Sequence, residues 1–156
     1  MDMLIKLYAA PVGEGGSRDA LPGAARLRKP IGPEHEVVVG WVAEQFGTGW
    51  ASEARVALAN RPVSLWLATR RAELLGFACY DATARGFFGP IGLAESARGQ
   101  GLGTALLRAC LFDMRAAGYG YAIIGAAGAP EFFRRAAGAI EIADSTPGLY
   151  ADPLRS

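Results

Sequence analysis

The hydrophobic pattern in the middle of the chain has the two-residue period of β-strands. Three apolar runs, SLWLATR, ELLGFACYD and GFFGPIGL, follow one another with only short polar or glycine turns between them. Strands joined by such short turns pair antiparallel, so residues 64–93 predict a meander. Pro90 lies inside the third run and cannot donate a ladder hydrogen bond, which predicts a bulge or a sheet edge there.

Helical periods flank this meander on both sides. Before it, EHEVVVGWVAEQF and ASEARVALAN predict two helices separated by GTGW. The spacing of the first predicted helix brings five residues onto one of its faces: Val37, Trp41, Val42, Gln45 and Phe46. After the meander, residues 102–117 predict a long helix, and the remaining elements are the strand YAIIGA, the helix EFFRRAAG and the strand AIEIAD.

Two more strands, MLIKLYA and ARLRKPI, are predicted near the N-terminus, with a glycine- and proline-rich loop between them over residues 11–23. The helix between GFFGPIGL and YAIIGA fits a parallel crossover. The whole pattern predicts an α/β fold of the α+β type. We expect a single domain over residues 1–156, with a mixed sheet of about six to seven strands and helices on both faces.

Composition and charge exclude several classes of protein. The 156 residues carry a formal charge of +1, which argues against a dedicated nucleic-acid binder. No apolar run is long enough to span a bilayer, and MDMLIKLYAAPVG lacks the extended apolar core of a signal peptide, so we expect a cytoplasmic protein without membrane partners. Cys79 and Cys110 lie in apolar stretches and are expected to be reduced core residues, and we expect no metal site.

The segment ARGQGLGTALL contains three glycines directly before the predicted long helix. The first N–H groups of a helix have no intrahelical partner, and glycines at Gly99, Gly101 and Gly103 would let a phosphate approach them closely. Arg98 adds a guanidinium suited to phosphate oxygens. The alternative is a loop that merely turns, with glycines for tightness.

Two common phosphate loops do not fit this segment. A Walker loop needs a lysine after its last glycine, and no lysine follows Lys29. A dinucleotide fingerprint needs a third glycine where Thr104 stands, and it begins directly at the end of a strand, whereas AESAR intervenes here.

A third pattern does fit, because the segment from Arg98 to Gly103 resembles the coenzyme A loop of the GNAT acetyltransferases. Their signature is Gln or Arg, two residues, Gly, one residue, then Gly or Ala. The similarity extends from about Ser64 to Ala143, with GFFGPIGL similar to the family's fourth strand and YAIIGA to its fifth. Residues 1–30 resemble an N-terminal variant of the fold with an added strand and loop.

The resemblance implies a fold, a cofactor and a set of residues that bind it. In this family the fourth and fifth strands splay apart, and the pantetheine arm of acetyl-coenzyme A lies between them. The positions implied to bind the cofactor are Ile91, Gly92, Leu93, Arg98, Gly99, Gln100, Gly101, Leu102, Gly103, Thr104 and Phe133. The implied activity is transfer of an acetyl group to an amine by direct attack.

An attacking amine must lose a proton, and a carboxylate commonly takes it. Glu95, Glu131 and Asp81 are the candidate bases. Many relatives also carry a tyrosine on the last helix that protonates the departing thiolate, but Phe133 stands at that position here. Tyr150 in TPGLY is the candidate replacement, although a coenzyme A thiolate of low basicity can leave without help.

The acceptor is less constrained by the sequence. Phe46, directly before GTGW, and Trp50, its last residue, are expected to line a substrate wall. The modest net charge favours a small-molecule amine over a nucleic-acid or polycationic acceptor. A protein N-terminus or lysine is the competing acceptor, and a non-catalytic coenzyme-A-binding domain is the alternative from another class. We also expect a homodimer, as is frequent in the family.

Overall fold

The computed structural model describes residues 1–9 and 21–154. Within these residues seven strands form two antiparallel sheets, and the chain also forms four α-helices. The helices are α1 (His35–Phe46), α2 (Thr48–Ala59), α3 (Leu102–Ala116) and α4 (Pro130–Ala137). The strands are β1 (Met3–Lys6), β2 (Arg26–Arg28), β3 (Leu65–Arg70), β4 (Glu73–Tyr80), β5 (Phe88–Leu93), β6 (Tyr121–Ile124) and β7 (Ile140–Glu141). Most of the loop predicted over residues 11–23 lies outside the described residues.

The larger sheet has the order β2-β3-β4-β5 and contains the predicted meander. Strand β4 pairs with β5 from Gly76 opposite Leu93 to Tyr80 opposite Phe88. Between the pairs Ala78–Ile91 and Tyr80–Phe88, β4 advances by two residues and β5 by three. Strand β5 therefore has one extra residue there. The extra residue falls beside Pro90, which confirms the predicted bulge.

The smaller sheet has the order β6-β1-β7, with the N-terminal strand at its centre. Met3 pairs with Ile124 on one side and with Glu141 on the other. Its alternate side chains Met3 and Ile5 are fully buried, which fixes the register of the strand. The N-terminal strand β1 therefore joins β6 and β7 into one sheet.

The two sheets meet at one isolated parallel bridge, between Phe87 and Ile123. The Ile123 N–H also donates to the Gly86 carbonyl at 2.9 Å. The predicted mixed sheet is therefore two antiparallel sheets with a single parallel contact. Beyond that contact β5 and β6 separate, and this confirms the splay expected between GFFGPIGL and YAIIGA.

Helices cover both faces of the larger sheet. Helix α3 buries one face with Leu102, Leu106, Cys110 and Met114, whereas α1 and α2 cover the other face, where Cys79 lies. The two cysteines are buried and free, as expected.

Two details of the helices differ from the prediction. The buried side of α1 is formed by Val38, Val39 and Val42, and Val37 is 67% exposed because the helix is rotated from the predicted face. Helix α2 begins at Thr48, so only Gly47 separates it from α1. Within the described residues, none of the helices has the length and hydrophobicity needed to cross a bilayer.

Candidate active site

A cleft of about 430 Å³ lies where β5 and β6 separate. The residues that follow β6 form one wall, β5 forms the opposite wall, and α2, α4 and the C-terminal segment close the ends. The lining is mostly apolar and consists of Trp50, Glu53, Thr83, Phe88, Gly89, Pro90, Ile91, Ile124, Gly125, Ala126, Ala127, Gly128, Ala129, Phe132, Phe133 and Tyr150. A concave apolar site with few polar groups is typical of small-molecule binding.

The glycine loop ends at the N-terminus of α3. Gly99 has a φ of +77° and Gly101 a φ of +79°, a left-handed conformation that other residues rarely adopt. Gly101 is the N-cap of α3, and no heavy atom lies within 4 Å of the place where its Cβ would be. The space beside the N-cap of this 15-residue helix is therefore open, and an anion could approach the helix N-terminus there.

The side chains of the loop support its shape and its charge. The Gln100 amide donates to the Ser96 carbonyl and accepts from Arg70, each at 3.4 Å. Arg98 is exposed beside the loop, whereas Leu102 is buried in the core below it. The loop is therefore held from beneath, with its glycine backbone and one guanidinium on the outside.

The loop and the cleft are neighbours through Phe132. A Cβ on Gly103 would lie 3.7 Å from the Phe132 ring, and the same ring lines the cleft. A second groove of about 450 Å³ lies beside them, lined by Thr104, Arg108, Phe132, Arg135 and Ala136. Nothing in the sequence marks the two arginines of this groove as site residues, because their helical positions do not indicate that α3 and α4 approach each other there.

The three predicted positions of β5 differ in their surroundings. Ile91 lines the cleft, whereas the Leu93 side chain points towards Gly76 and Gly103. Gly92 is buried, and a Cβ there would lie 2.5 Å from the Phe46 ring. Phe46 thus covers the back of β5 and does not line the cleft.

Aromatic residues form the cleft at its two ends. Trp50 stacks on Phe46 with ring centroids 5.0 Å apart and is itself 36% exposed at the lining. Phe133 is 5% exposed and packs against Phe88 and Phe132 at 6.0 and 5.1 Å. The ring at position 133 is therefore a cleft residue fixed by neighbouring rings.

Tyr150 brings a hydroxyl to the cleft from the C-terminal segment. Its Oη lies 3.0 Å from the position of a Cβ on Gly125, so the ring rests on that glycine just after β6. Burial raises the pKa of the Tyr150 phenol, and the charges of Glu53 and Asp2 add to this, whereas hydrogen bonding with Thr83 opposes it. The hydroxyl keeps its proton at neutral pH.

Asp2 fixes the segment that carries Tyr150. Its carboxylate accepts from the Ala126 N–H at 2.8 Å, and its own N–H donates to the Ser145 hydroxyl at 2.8 Å. The Ser145 hydroxyl donates in turn to the Ile142 carbonyl at 2.6 Å. The chain start, the turn after β6 and the C-terminal segment are thereby connected at one point.

A carboxylate that the sequence analysis did not select also lies in the cleft. Glu53 on α2 lines it together with Thr83, whose hydroxyl donates to Glu53 Oε1 at 2.5 Å. In the sequence, Glu53 belongs to a predicted helix and has polar neighbours, and nothing distinguishes it from a solvent-exposed acid. Its position depends on the packing of α2 across the end of β5.

The three predicted bases lie outside the cleft lining. Asp81 accepts from the Tyr119 hydroxyl at 2.9 Å and from the Gly86 N–H at 2.8 Å, and it lines a different cavity, next to Tyr80. Glu131 is exposed and paired with Arg134, and Glu95 is exposed in a 3₁₀ turn. The only one of the four predicted catalytic residues that the structure places in the lining is Tyr150. Residues 1–9 and 21–154 contain no cluster of three or more potential metal ligands.

Comparison with known proteins identifies the class of protein that has this fold and loop. The model of the acetyltransferase (GNAT) family matches residues 32–139, which is more than half of the chain. The chain therefore belongs to the GNAT acetyltransferase family, whose cofactor is acetyl-coenzyme A. No protein of curated function matches its sequence significantly.

Solved structures agree with the fold. A GCN5-related N-acetyltransferase from Sphaerobacter thermophilus is 20% identical with a TM-score of 0.66, over 89% of this chain and 47% of that one. A glucosamine N-acetyltransferase region of a fungal multi-domain β-N-acetylglucosaminidase is 12% identical with a TM-score of 0.69, over 89% and 19%. A GNAT acetyltransferase from Brucella melitensis, in complex with acetyl-CoA, is 19% identical with a TM-score of 0.50, over 71% and 80%. The chain thus spans less than half of the first two proteins.

Proposed function

We propose that this protein is an N-acetyltransferase that moves an acetyl group from acetyl-coenzyme A to a small-molecule amine by direct attack. One observation carries the proposal: the glycine loop and the cleft between β5 and β6 adjoin through the Phe132 ring. A ligand with a diphosphate at one end and an extended arm would use both places at once.

The loop fits the diphosphate of the cofactor. Gly99 and Gly101 leave open space above their backbone, and the N-terminus of α3 supplies unpaired N–H groups. Arg98 and Thr104 stand at the two ends of the loop, and the neighbouring groove adds the guanidinium groups of Arg108 and Arg135. These groups are cationic or hydrogen-bond donors, as a polyanionic ligand requires.

The cleft fits the arm and the reacting end. Strand β5 is an edge strand of its sheet, so its main-chain groups beyond the bridge at Phe87 are available to an extended ligand. Acetyl-coenzyme A supplies an activated acetyl thioester there. The apolar rings of Phe88, Phe132 and Phe133 exclude water from that end of the cleft. The Tyr150 hydroxyl keeps its proton and can donate a hydrogen bond to the departing sulfur, but departure of this weakly basic thiolate does not depend on it.

The size of the cleft favours a small acceptor. Its 430 Å³ lies at the lower end of the roughly 300–1,000 Å³ typical of ligand pockets. The arm of the cofactor would occupy part of this volume. A protein lysine or N-terminus would have to reach the thioester through what remains.

Two measurements test the proposal together. Calorimetry with acetyl-coenzyme A measures binding to the loop and cleft, and thiol release measures transfer over a panel of small amines and lysine peptides. We expect binding and turnover with small amines. Turnover only with lysine peptides would mean that the acceptor is a protein and not a small amine. Tight binding without any turnover would indicate a non-catalytic binding domain. Absence of acetyl-coenzyme A binding would overturn the assignment of the site.

A further inference from the structure

Glu53 is an acidic group in a cleft whose lining is otherwise apolar or neutral. The lining contains two hydroxyl side chains, Thr83 and Tyr150, and no lysine, arginine or histidine among the described residues. None of the ion pairs in the described part of the chain includes Glu53. A partly buried carboxylate with no cation in the described lining of its cleft is a favourable place for a cationic ligand.

Thr83 orients this carboxylate. Its hydroxyl donates to Glu53 Oε1 at 2.5 Å, and within residues 1–9 and 21–154 no side chain donates a hydrogen bond to Oε2. Trp50, one turn earlier on α2, lines the same end of the cleft, and an indole face also attracts cations. An alkylammonium group placed here would meet a charged oxygen and an aromatic ring together.

We propose that Glu53 binds the ammonium group of the acceptor and takes its proton, and that the acceptors are primary amines with an apolar body and no carboxylate or phosphate near the amino group. This inference rests on the acetyl transfer proposed above. An acceptor with an anionic group would bring that charge next to Glu53, into a lining with no described cation to compensate it.

Proton transfer to Glu53 accompanies formation of the amide bond. The ammonium gives one proton to the Glu53 carboxylate, and the free lone pair of the nitrogen forms the C–N bond to the acetyl carbonyl carbon. The C–S bond breaks, and its electron pair goes to sulfur. The nitrogen loses its second proton, the thiolate takes up one, and Glu53 returns its proton to water, so that one proton is released per amide formed.

The acceptor class is tested with three amines of the same body. Phenethylamine has no second charge, phenylalanine adds a carboxylate, and phenylalaninamide adds the same bulk without the charge. We expect kcat/KM for phenethylamine to exceed that for phenylalanine by about 100-fold, with phenylalaninamide close to phenethylamine. Equal use of phenylalanine and phenylalaninamide would overturn the inference.

The role of Glu53 is tested with Glu53→Gln, which keeps an oxygen for Thr83. We expect kcat/KM for phenethylamine at pH 7 to fall by about 100-fold and the loss to shrink below tenfold at pH 9.5, because the free amine rises by roughly 300-fold over that interval. The other titratable groups facing Glu53 are the Tyr150 phenol and the Cys79 thiol, and burial chiefly raises the pKa of both. Glu44→Gln, an exposed site on α1, is the matched control and should change nothing.

Binding separates this inference from the proposed transfer. Calorimetry with phenethylamine in the presence of coenzyme A should show at least tenfold weaker affinity for Glu53→Gln, with acetyl-coenzyme A affinity unchanged. If the wild type binds the amine through Glu53 but releases no thiol, the ammonium site stands and the transfer reaction fails. If Glu53→Gln binds and acetylates phenethylamine within threefold of the wild type at pH 7, the assignment of Glu53 is wrong.

Discussion

Replacement of Gly101 by valine tests whether the loop binds phosphate. Gly101 has a φ of +79°, and a Cβ there would meet no protein atom within 4 Å. The side chain would therefore stand in the open space over the N-terminus of α3, between the amides and an approaching phosphate. We expect acetyl-coenzyme A affinity to fall at least tenfold, which is about 1.4 kcal/mol.

The same substitution strains the backbone, and this effect must be separated from binding. A non-glycine residue in the left-handed conformation costs roughly 1–2 kcal/mol, which lowers Tm by about 2–8 °C in a domain of this size. Gly138 is the matched control: it ends α4 with a φ of +64°, it is exposed, and no atom lies within 4 Å of its Cβ position. Gly138→Val should lose similar stability and keep its affinity.

Calorimetry at 20 °C and thermal unfolding of both variants give the answer. The loop assignment predicts weaker binding for Gly101→Val alone, with a comparable fall in Tm for the two proteins. A folded Gly101→Val protein with wild-type affinity would refute the reasoning and remove the loop from the site. Equal loss of affinity in both variants would mean that strain, and not obstruction, weakens binding.

Four further predictions address the charge of the loop, the leaving group, acid stability and assembly. Arg98→Ala should weaken acetyl-coenzyme A binding and reduce the salt dependence of that affinity, measured by calorimetry from about 50 mM to about 300 mM salt. Phe133→Tyr and Tyr150→Phe should each change turnover by less than about tenfold, because a thiolate of low basicity needs little protonation; loss of turnover in Tyr150→Phe with binding intact would contradict unassisted departure. The Arg28 guanidinium, with hydrogen bonds of 2.7 and 2.6 Å, lowers the pKa of Glu34 to about 2, so this pair adds stability above the unfolded pKa that is lost as pH falls through the folded pKa. Glu34→Gln should accordingly lower Tm at pH 7, and its difference from the wild type should disappear as pH falls below about 2. Sedimentation at micromolar concentration should give a dimer mass, and a monomer mass would contradict the expected association.

The sequence was sufficient for those parts of the fold that depend on neighbouring residues. The meander over residues 64–93, the long helix after the glycine loop and the bulge at Pro90 follow from period, turn chemistry and a missing N–H donor. The central place of β1 was not predictable in the same way. Its partners lie more than 110 residues away along the chain, and a four-residue strand contains no information on which distant strand it joins.

The site was predictable to a smaller extent for the same reason. The loop is a local motif, so its residues could be selected from the sequence. The polar side chains of the cleft are Glu53 on α2, Thr83 in the turn after β4 and Tyr150 in the C-terminal segment. Only Tyr150 was predicted from the sequence. Asp81 was a reasonable choice at a strand end, but its left-handed backbone turns its side chain to Tyr119 and Gly86, away from the cleft.

The central position of β1 has a consequence for the order in which the protein folds. Strands β3, β4 and β5 and helix α3 follow one another in the sequence and can pack together as they emerge during synthesis. The smaller sheet requires residues 3–6 to find residues 121–124 and 140–141, and this long loop closure is slow compared with local pairing. The cleft wall after β6 and the segment of Tyr150 depend on that sheet and on Asp2. We therefore expect the glycine loop to form early and the cleft between β5 and β6 to be completed last.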